Sequence, residues 1–130
     1  MMEELNILRM ASAMARHASV RHRVIAENVA NADTPGYLAR DVKGFRDYFK
    51  TEMNARATRP EHFGGRGILA SISDPTVIID KTVQNTGNGN SVSLEAEMLK
   101  ATETQGQHRL AMSIYRKTHD LLRLGLGRVR

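Results

Sequence analysis

The side chains that most often carry chemistry are present in this sequence but are not spaced for it. His17 and His22 are five residues apart, so a helix would not place both rings on one face, and His108 and His119 are about three helical turns apart. Neither spacing is typical of zinc ligands. The absence of cysteine excludes a thiolate nucleophile and a disulfide. We therefore expect no metal site and no cofactor.

Glycine and serine motifs are equally incomplete. The run Gly64-Gly65-Arg66-Gly67 resembles a phosphate-binding loop only superficially, because it lacks the Gly-Lys-Ser/Thr ending and a preceding apolar strand. Serine and aspartate are scattered without a nucleophile-elbow pattern. A hydrolase that uses His and Asp side chains is therefore an alternative without supporting spacing, and the sequence predicts that the protein is not an enzyme.

Charge suggests a second class of function. The net charge is +5, and the basic excess gathers between Leu99 and Arg130. Cations at that end also complement a helix C-terminus, so our interpretation is a solvated helix face without nucleic acid as a partner. The alternative is a small basic helical nucleic-acid-binding protein, for which steep salt-dependent binding to duplex DNA would be the signature.

Two long helices would have to carry whatever function the chain has. From Leu5 to Ala32, apolar residues alternate steps of three and four, as in a coiled-coil seam, until Pro35 and Gly36 stop the helix. From Leu94 to Gly125 the same stepping returns, preceded by the N-cap candidates Asn90, Ser91 and Ser93. Gly106 interrupts this second pattern and predicts a weak point or a close backbone approach. The seams predicted from these steps are Leu8, Ala11, Ala15, Ala18, His22, Ile25, Val29 and Ala32 in the first helix, and Leu94, Met98, Ala101, Gln105, His108, Met112, Tyr115, His119, Leu122 and Leu126 in the second.

The middle of the chain has a different character. Glycine and proline punctuate short apolar runs such as Ile68-Leu69-Ala70 and Val77-Ile78-Ile79, which predict isolated strands. The stretch from Thr51 to Gly67 is polar and largely aperiodic, and we expect it to be mobile until something binds it. The predicted fold is mainly α, with long N- and C-terminal helices paired as a coiled-coil hairpin and an irregular, short-β middle segment. Residues 1–36 and 91–130 would form one helical domain, and residues 37–90 an extended, partly flexible segment.

A lone pair of long helices leaves apolar surface in contact with water. At about 25 cal/mol per Å² of apolar area, the missing burial is comparable to the stability of a small domain, and neighbouring copies could supply it. The sequence therefore predicts a subunit of an assembly.

The end of the first helix carries a family resemblance. The run Asn28-Val29-Ala30-Asn31-Ala32-Asp33-Thr34-Pro35-Gly36-Tyr37, followed by Ala39-Arg40-Asp41-Val42, resembles the N-terminal signature of flagellar rod, hook and hook-associated axial proteins. The entry to the last helix at Ser93-Leu94-Glu95 is similar to that of the proximal rod members. The resemblance implies a structural subunit that assembles helically through its terminal helices, transmits torque and lines the export channel.

The same resemblance implies partners and a location. The partners are other copies of the chain, other rod proteins, the inner-membrane ring adaptor FliE and the flagellar type III export apparatus. The location is the basal-body rod crossing the periplasm. The subunit would be exported without a cleaved signal peptide, in keeping with the arginines in the first thirty residues, which interrupt the apolar core that such a signal needs, and without insertion into a membrane. The candidate assembly interface comprises Leu8, Ala11, Ala15, Ala18, Ile25, Asn28, Val29, Asn31, Thr34, Pro35, Gly36, Tyr37, Met98, Ala101, Met112, Tyr115 and Leu122.

Overall fold

Two long helices dominate the computed structural model, which describes residues 2–57 and 72–127. The elements in chain order are α1 (Met2–Ala30), β1 (Arg40–Val42), α2 (Phe45–Ala57), β2 (Val77–Ile79) and α3 (Leu94–Leu126). The mainly helical fold with paired terminal helices and short strands between them is confirmed. Both long helices end close to the predicted bounds.

The chain leaves α1 through a tight turn. Tyr37 N–H donates to the Thr34 carbonyl at 3.3 Å, and Gly36 has φ of +73°. Proline followed by a residue with positive φ is typical of a type II turn, in which glycine avoids the clash that a Cβ would make. The Pro-Gly pair therefore ends α1 and redirects the chain.

The start of α3 is capped by one of the three predicted candidates. Ser93 is the N-cap, and its hydroxyl accepts from Ala96 N–H at 3.4 Å. Glu95 and Glu97 lie in the first turn, where carboxylates favour the positive end of the helix dipole. Asn90 bonds to the carbonyls at the end of α1 instead, and Ser91 bonds to Ala39, just before β1, as described below.

Helices α1 and α3 pack along one another in opposite directions. Arg21 of α1 approaches Glu103 of α3, while the end of α1 lies beside Asn90, just before α3 begins. On α3 the buried positions recur every seven residues, and we call them the inner row: Glu97, Thr104, Ala111 and Thr118. On α1, the matching positions are Ala11, Ala18 and Ile25. Small side chains on both helices let the two backbones approach closely.

The other side of α1 carries the middle segment. Val20 and Val24 pack with Val42 of β1, and Ala13 packs with Tyr48 of α2 and with Ile72. Strand β1 pairs antiparallel with β2, Asp41 opposite Ile78, which confirms the predicted strand at Val77–Ile79. This two-stranded ribbon lies on the same side of the hairpin as α2.

Helix α2 is the element that sequence reasoning missed. We expected an extended segment there, and loose chain from Thr51 onwards, but Thr51 to Ala57 complete α2. Its aromatic residues Phe45, Tyr48 and Phe49 form one face against α1, where the ring of His17 stacks edge-on to Phe45 at 5.7 Å. The remainder of that stretch and the predicted strand at 68–70 lie outside the described residues.

Candidate assembly interface

The end of α1 is built around the fully buried Asn28. Its Nδ2 donates to the Arg40 carbonyl at 2.7 Å, and its Oδ1 accepts from Arg40 N–H at 3.0 Å and from the Tyr37 hydroxyl at 3.2 Å. The side-chain amide therefore pairs with the backbone of Arg40 as a neighbouring strand would, and this holds β1 beside α1. Asn28 and the Tyr37 hydroxyl are thus used inside the subunit.

Asn90 closes the same junction from the other side. Its Nδ2 lies 2.8 to 2.9 Å from the carbonyl oxygens of Asn31, Ala32 and Thr34 at the end of α1. The Asn31 and Thr34 carbonyls also accept backbone N–H groups, so Asn90 matters most for Ala32. The hydroxyl of Ser91 accepts from Ala39 N–H at 2.7 Å. Both side chains are buried, so this polar clamp joins the end of α1 to the start of α3.

An ion cluster ties the ribbon to α3. Lys100 Nζ lies 2.7 Å from Asp80, 3.2 Å from Glu97 and 3.7 Å from Asp41. Arg21 donates to both oxygens of Asp41 at 3.0 and 3.2 Å. Five charges, from α1, from both sides of one end of the ribbon and from α3, therefore meet at one point.

The electrostatics of this cluster favour the charged forms. Burial alone would raise the pKa of Asp80, but hydrogen bonds from Lys100 and Thr82 and the Lys100 charge lower that pKa to about 2. Burial alone would lower the pKa of Lys100, but the hydrogen bond to Asp80 and the charges of Glu97 and Asp41 raise it. Glu97 is 0% exposed and its Oε2 has no hydrogen-bond partner among the described residues, so the site depends on Lys100.

The predicted seam of α1 divides between the interior and the surface. Ala11, Ala18 and Ile25 are buried against the rest of the subunit, Leu8 and Ala15 are half-buried, and Val29 is 45% exposed. In the following turn, Asn31 is half-buried and its amide donates to the Glu27 carbonyl. The turn residues exposed to solvent are Thr34, Pro35 and Gly36.

On α3 half of the predicted seam is displaced by one residue. Ala101, His108, Tyr115 and Leu122 are half-buried as expected. The inner row, however, lies one position before Met98, Gln105, Met112 and His119, and Met98 is 70% exposed. The row that faces α1 therefore consists of small or polar side chains, while Leu94 and Met98 lie more than half exposed.

The hairpin has two distinct sides. Residues that follow the buried positions share one side, because Ser12 of α1 and Met112 of α3 line the same groove. This groove, of about 300 Å³, is completed by Ala11 and Ala15 of α1, Tyr115 of α3 and Ile72, with Arg16 at its rim. Residues that precede the buried positions lie on the other side, where His17 meets Tyr48 of α2 and Val24 meets Val42 of β1.

A second apolar surface on α3 was missed by the sequence reasoning. Four leucines on the outward face are between 53% and 70% exposed, and we call them the leucine row: Leu99, Leu110, Leu121 and Leu124. The row follows steps of eleven and then three residues, which return to the same face of a helix. That spacing could have indicated the leucine row from the sequence alone. It was overlooked because the seam with steps of three and four residues is the more regular pattern.

Other chemistry finds no support in the described parts of the chain. There, no group of three or more His, Cys, Asp or Glu side chains could hold a metal ion. None of the helices described is long and apolar enough to cross a membrane. The arrangement offers surfaces for contact with other proteins.

Comparison with known proteins points to the same kind of role. A family model described as flagella basal body rod protein matches residues 10–37, which include the Asn28 junction and the turn. A flagellar basal body rod protein FlgB of Agrobacterium fabrum is 31% identical over 130 residues, covering 98% of this chain and 97% of the relative. The FlgB proteins of Borreliella burgdorferi and Escherichia coli are 25% and 27% identical, over 74% and 72% of this chain and 77% and 72% of their own lengths.

Proposed function

This chain belongs to the flagellar basal body rod protein family and is a structural subunit of the rod; we propose that it assembles there helically through the outward surfaces of α1 and α3. The family resemblance expected from the Asn28-to-Tyr37 run is confirmed by the full-length similarity. The comparisons do not support the nucleic-acid-binding alternative.

The main support for the assembly proposal is that the side chains of α3 facing α1 are small or polar, whereas large apolar side chains face outward. The inner row of α3 is small or polar, while Leu94, Met98 and the leucine row are more than half exposed. Exposed apolar area of this extent on a free subunit is unfavourable by about 25 cal/mol per Å². Contact with neighbouring subunits would remove it from water.

The residues of the candidate interface predicted from the sequence differ in exposure, and we divide them accordingly. We propose that Val29, Met98 and the half-buried Ala15, Ala101 and Met112 contact neighbours directly. Ala11, Ala18, Ile25 and Asn28 act through the subunit instead, by holding α1 in position. The exposed turn at Thr34, Pro35 and Gly36 is available to a neighbour, and Leu8, Asn31, Tyr37, Tyr115 and Leu122 present only part of their surface.

The finer roles follow from the family. We propose that copies of the chain contact one another, other rod proteins and the adaptor FliE, and that the assembled helices line the channel and transmit torque. The rod would cross the periplasm, and the subunit would reach it through the flagellar type III export apparatus without losing a signal peptide. Support comes from family membership together with a surface suited to several protein contacts.

Deletion of the gene is the direct test of this function. Electron microscopy of basal bodies from the deletion strain should show no complete rod, and motility should return when the wild-type chain is supplied from a plasmid. A deletion strain that still builds rod and filament would contradict the assignment. A strain supplied with the empty plasmid is the matched control.

A further inference from the structure

Gly106 has no structural explanation inside the subunit. It lies in the middle of α3, where glycine is less favourable than alanine. A Cβ built on Gly106 would meet no atom of the described residues within 4 Å, so nothing in residues 2–57 and 72–127 requires a glycine there. The close backbone approach expected from the sequence is therefore absent within the described subunit.

Gly106 is nevertheless part of the leucine row. It lies seven residues after Leu99 and four before Leu110, so all three residues share one face of α3. Leu99 and Leu110 are 63% and 53% exposed. The row thus has two projecting leucines with a notch between them, a shape that accepts another helix at short distance.

The groove on the opposite side of the hairpin is complementary to this shape. Its α1 wall consists of the small residues Ala11, Ser12 and Ala15, and its floor is apolar through Ile72 and Met112. Ser19 continues the small surface of α1 one heptad after Ser12 and is exposed. Projecting leucines would fit between such small side chains.

Charge favours the same pairing. Arg16 at the groove rim pairs with Asp74 of the same subunit at 2.6 Å but keeps half of its side chain exposed, and Arg23, seven residues later, is exposed beside the groove. On α3, Glu95 is exposed, and Glu103, which lies 3.9 Å from Arg21, is 54% exposed; both flank the Gly106 half of the leucine row. Opposite charges would therefore face one another if the row of one copy approached the groove of another.

We propose that the leucine row of one copy docks along the α1 side of the groove of a second copy, with Gly106 at the point of closest approach. This inference rests on the proposed rod function, because it supplies the contact by which copies repeat. The two surfaces lie on opposite sides of one hairpin, so the contact is heterologous. A heterologous contact that does not close generates an open helical array.

Disulfide cross-linking tests the pairing, because the natural chain has no cysteine. Ser113→Cys places a thiol beside the leucine row. It is combined in one chain with Ser12→Cys, Ser19→Cys or Ala26→Cys, three α1 positions spaced by heptads. The doubly substituted chains replace the wild type in cells, and isolated basal bodies are oxidised and separated without reductant. We expect at least one pair to give linked dimers, trimers and larger species, because every copy carries both halves of the contact.

Single variants and a pair on another surface are the controls. Each single variant should give no species larger than a dimer, and Ser19→Cys with Lys50→Cys on the exposed face of α2 should give no ladder. If none of the three pairs forms a ladder while motility is normal, the proposed pairing is wrong and the rod function stands. If Ser113→Cys alone forms dimers efficiently, the contact is isologous and the proposal is overturned.

A second variant separates docking from folding. Gly106→Leu fills the notch, so we expect at least a tenfold loss of swarming while the thermal midpoint of the purified subunit is unchanged or higher. Lys50→Leu, which adds the same side chain to the exposed face of α2, should swarm normally. Normal swarming of Gly106→Leu would contradict close approach at this position.

Discussion

At the scale of single residues, the side-chain amides of two asparagines form hydrogen bonds with backbone groups that lie outside the helices and between elements. Asn28 supplies a donor and an acceptor to Arg40, and Asn90 reaches three carbonyls at the end of α1. Their residue type and proximity to helix ends were visible in the sequence. Their partners were not, because Asn90 and Asn31 are distant in sequence and meet only when the hairpin closes.

Asn90→Ala should weaken the junction. The carbonyls of Asn31 and Thr34 keep their backbone donors, but the carbonyl of Ala32 loses its donor. A buried carbonyl without a donor is unfavourable by about 1 to 3 kcal/mol, so we expect the free energy of unfolding to fall by about 2 kcal/mol. Urea denaturation followed by circular dichroism would measure the change. Asn85→Ala, at an exposed position of the same segment, should change it by less than about 0.5 kcal/mol. Equal stability of the two variants would show that the Asn90 clamp does not stabilise the junction.

Lys100→Met should lower the free energy of unfolding, because the ion cluster depends on this cation. Removing it leaves the buried Glu97 without its cation and leaves Asp80 with hydrogen bonds from Thr82 alone, and we expect a loss of about 3 kcal/mol near neutral pH. Lys81→Met, exposed in the neighbouring segment, is the control. Unfolding of both variants at several pH values would show whether the loss is specific to Lys100.

The pH dependence has a defined sign. Because the pKa of Asp80 is lowered to about 2 in the folded state, its contribution is complete above the unfolded pKa, about 4, and declines as the pH falls towards 2. The raised pKa of Lys100 means that its contribution is lost only as the pH rises above the ordinary range for lysine. In Lys100→Met the difference from wild type should therefore shrink on acidification from about pH 5 to pH 3. A difference that grows over this interval would contradict the assignment.

At the scale of elements, periodicity predicted α1 and α3 but not which face of α3 is inside. A seam of Leu94, Met98 and Met112 is the more apolar choice, and burial of Glu97 and Thr104 is unexpected from residue type alone. Glu97 becomes acceptable inside only because Lys100 and the ribbon surround it. Helix α2 was missed although Phe45, Tyr48 and Phe49 have the i, i+3, i+4 spacing of a buried helix face, because this pattern covers little more than one turn before mainly polar residues follow.

The two halves of the predicted α1 seam should respond differently to a charge. Ile25 is 5% exposed, so Ile25→Asp should lower the free energy of unfolding by several kcal/mol and reduce the steady-state level of the subunit. Val29 is 45% exposed, so Val29→Asp should leave the level and the circular dichroism of the subunit unchanged but block motility. Immunoblots, purified-protein spectra and swarm assays would separate the two. A motile Val29→Asp strain would remove this position from the interface.

At the scale of the whole molecule, the hairpin presents a groove on one side and a leucine row on the other, with the ribbon and α2 packed beside α1. The family and the mainly helical architecture were accessible from the sequence because they depend on a contiguous run and on two strong periodic patterns. The distribution of contact surface was not, since it depends on how α1 and α3 rotate about their axes when they meet. Rotation by about 100° is enough to exchange an inner residue for an outer one.

The polar character of the inner row has a mechanical consequence. Threonine and alanine inside the hairpin bury little apolar area between the two helices, and the leucines outside have no counterpart within the described subunit. If the subunit is exported and assembled as we propose, this small apolar contact would ease its unfolding under tension in a narrow channel. Contact with neighbours would then supply the missing packing, so rigidity would be a property of the assembled rod.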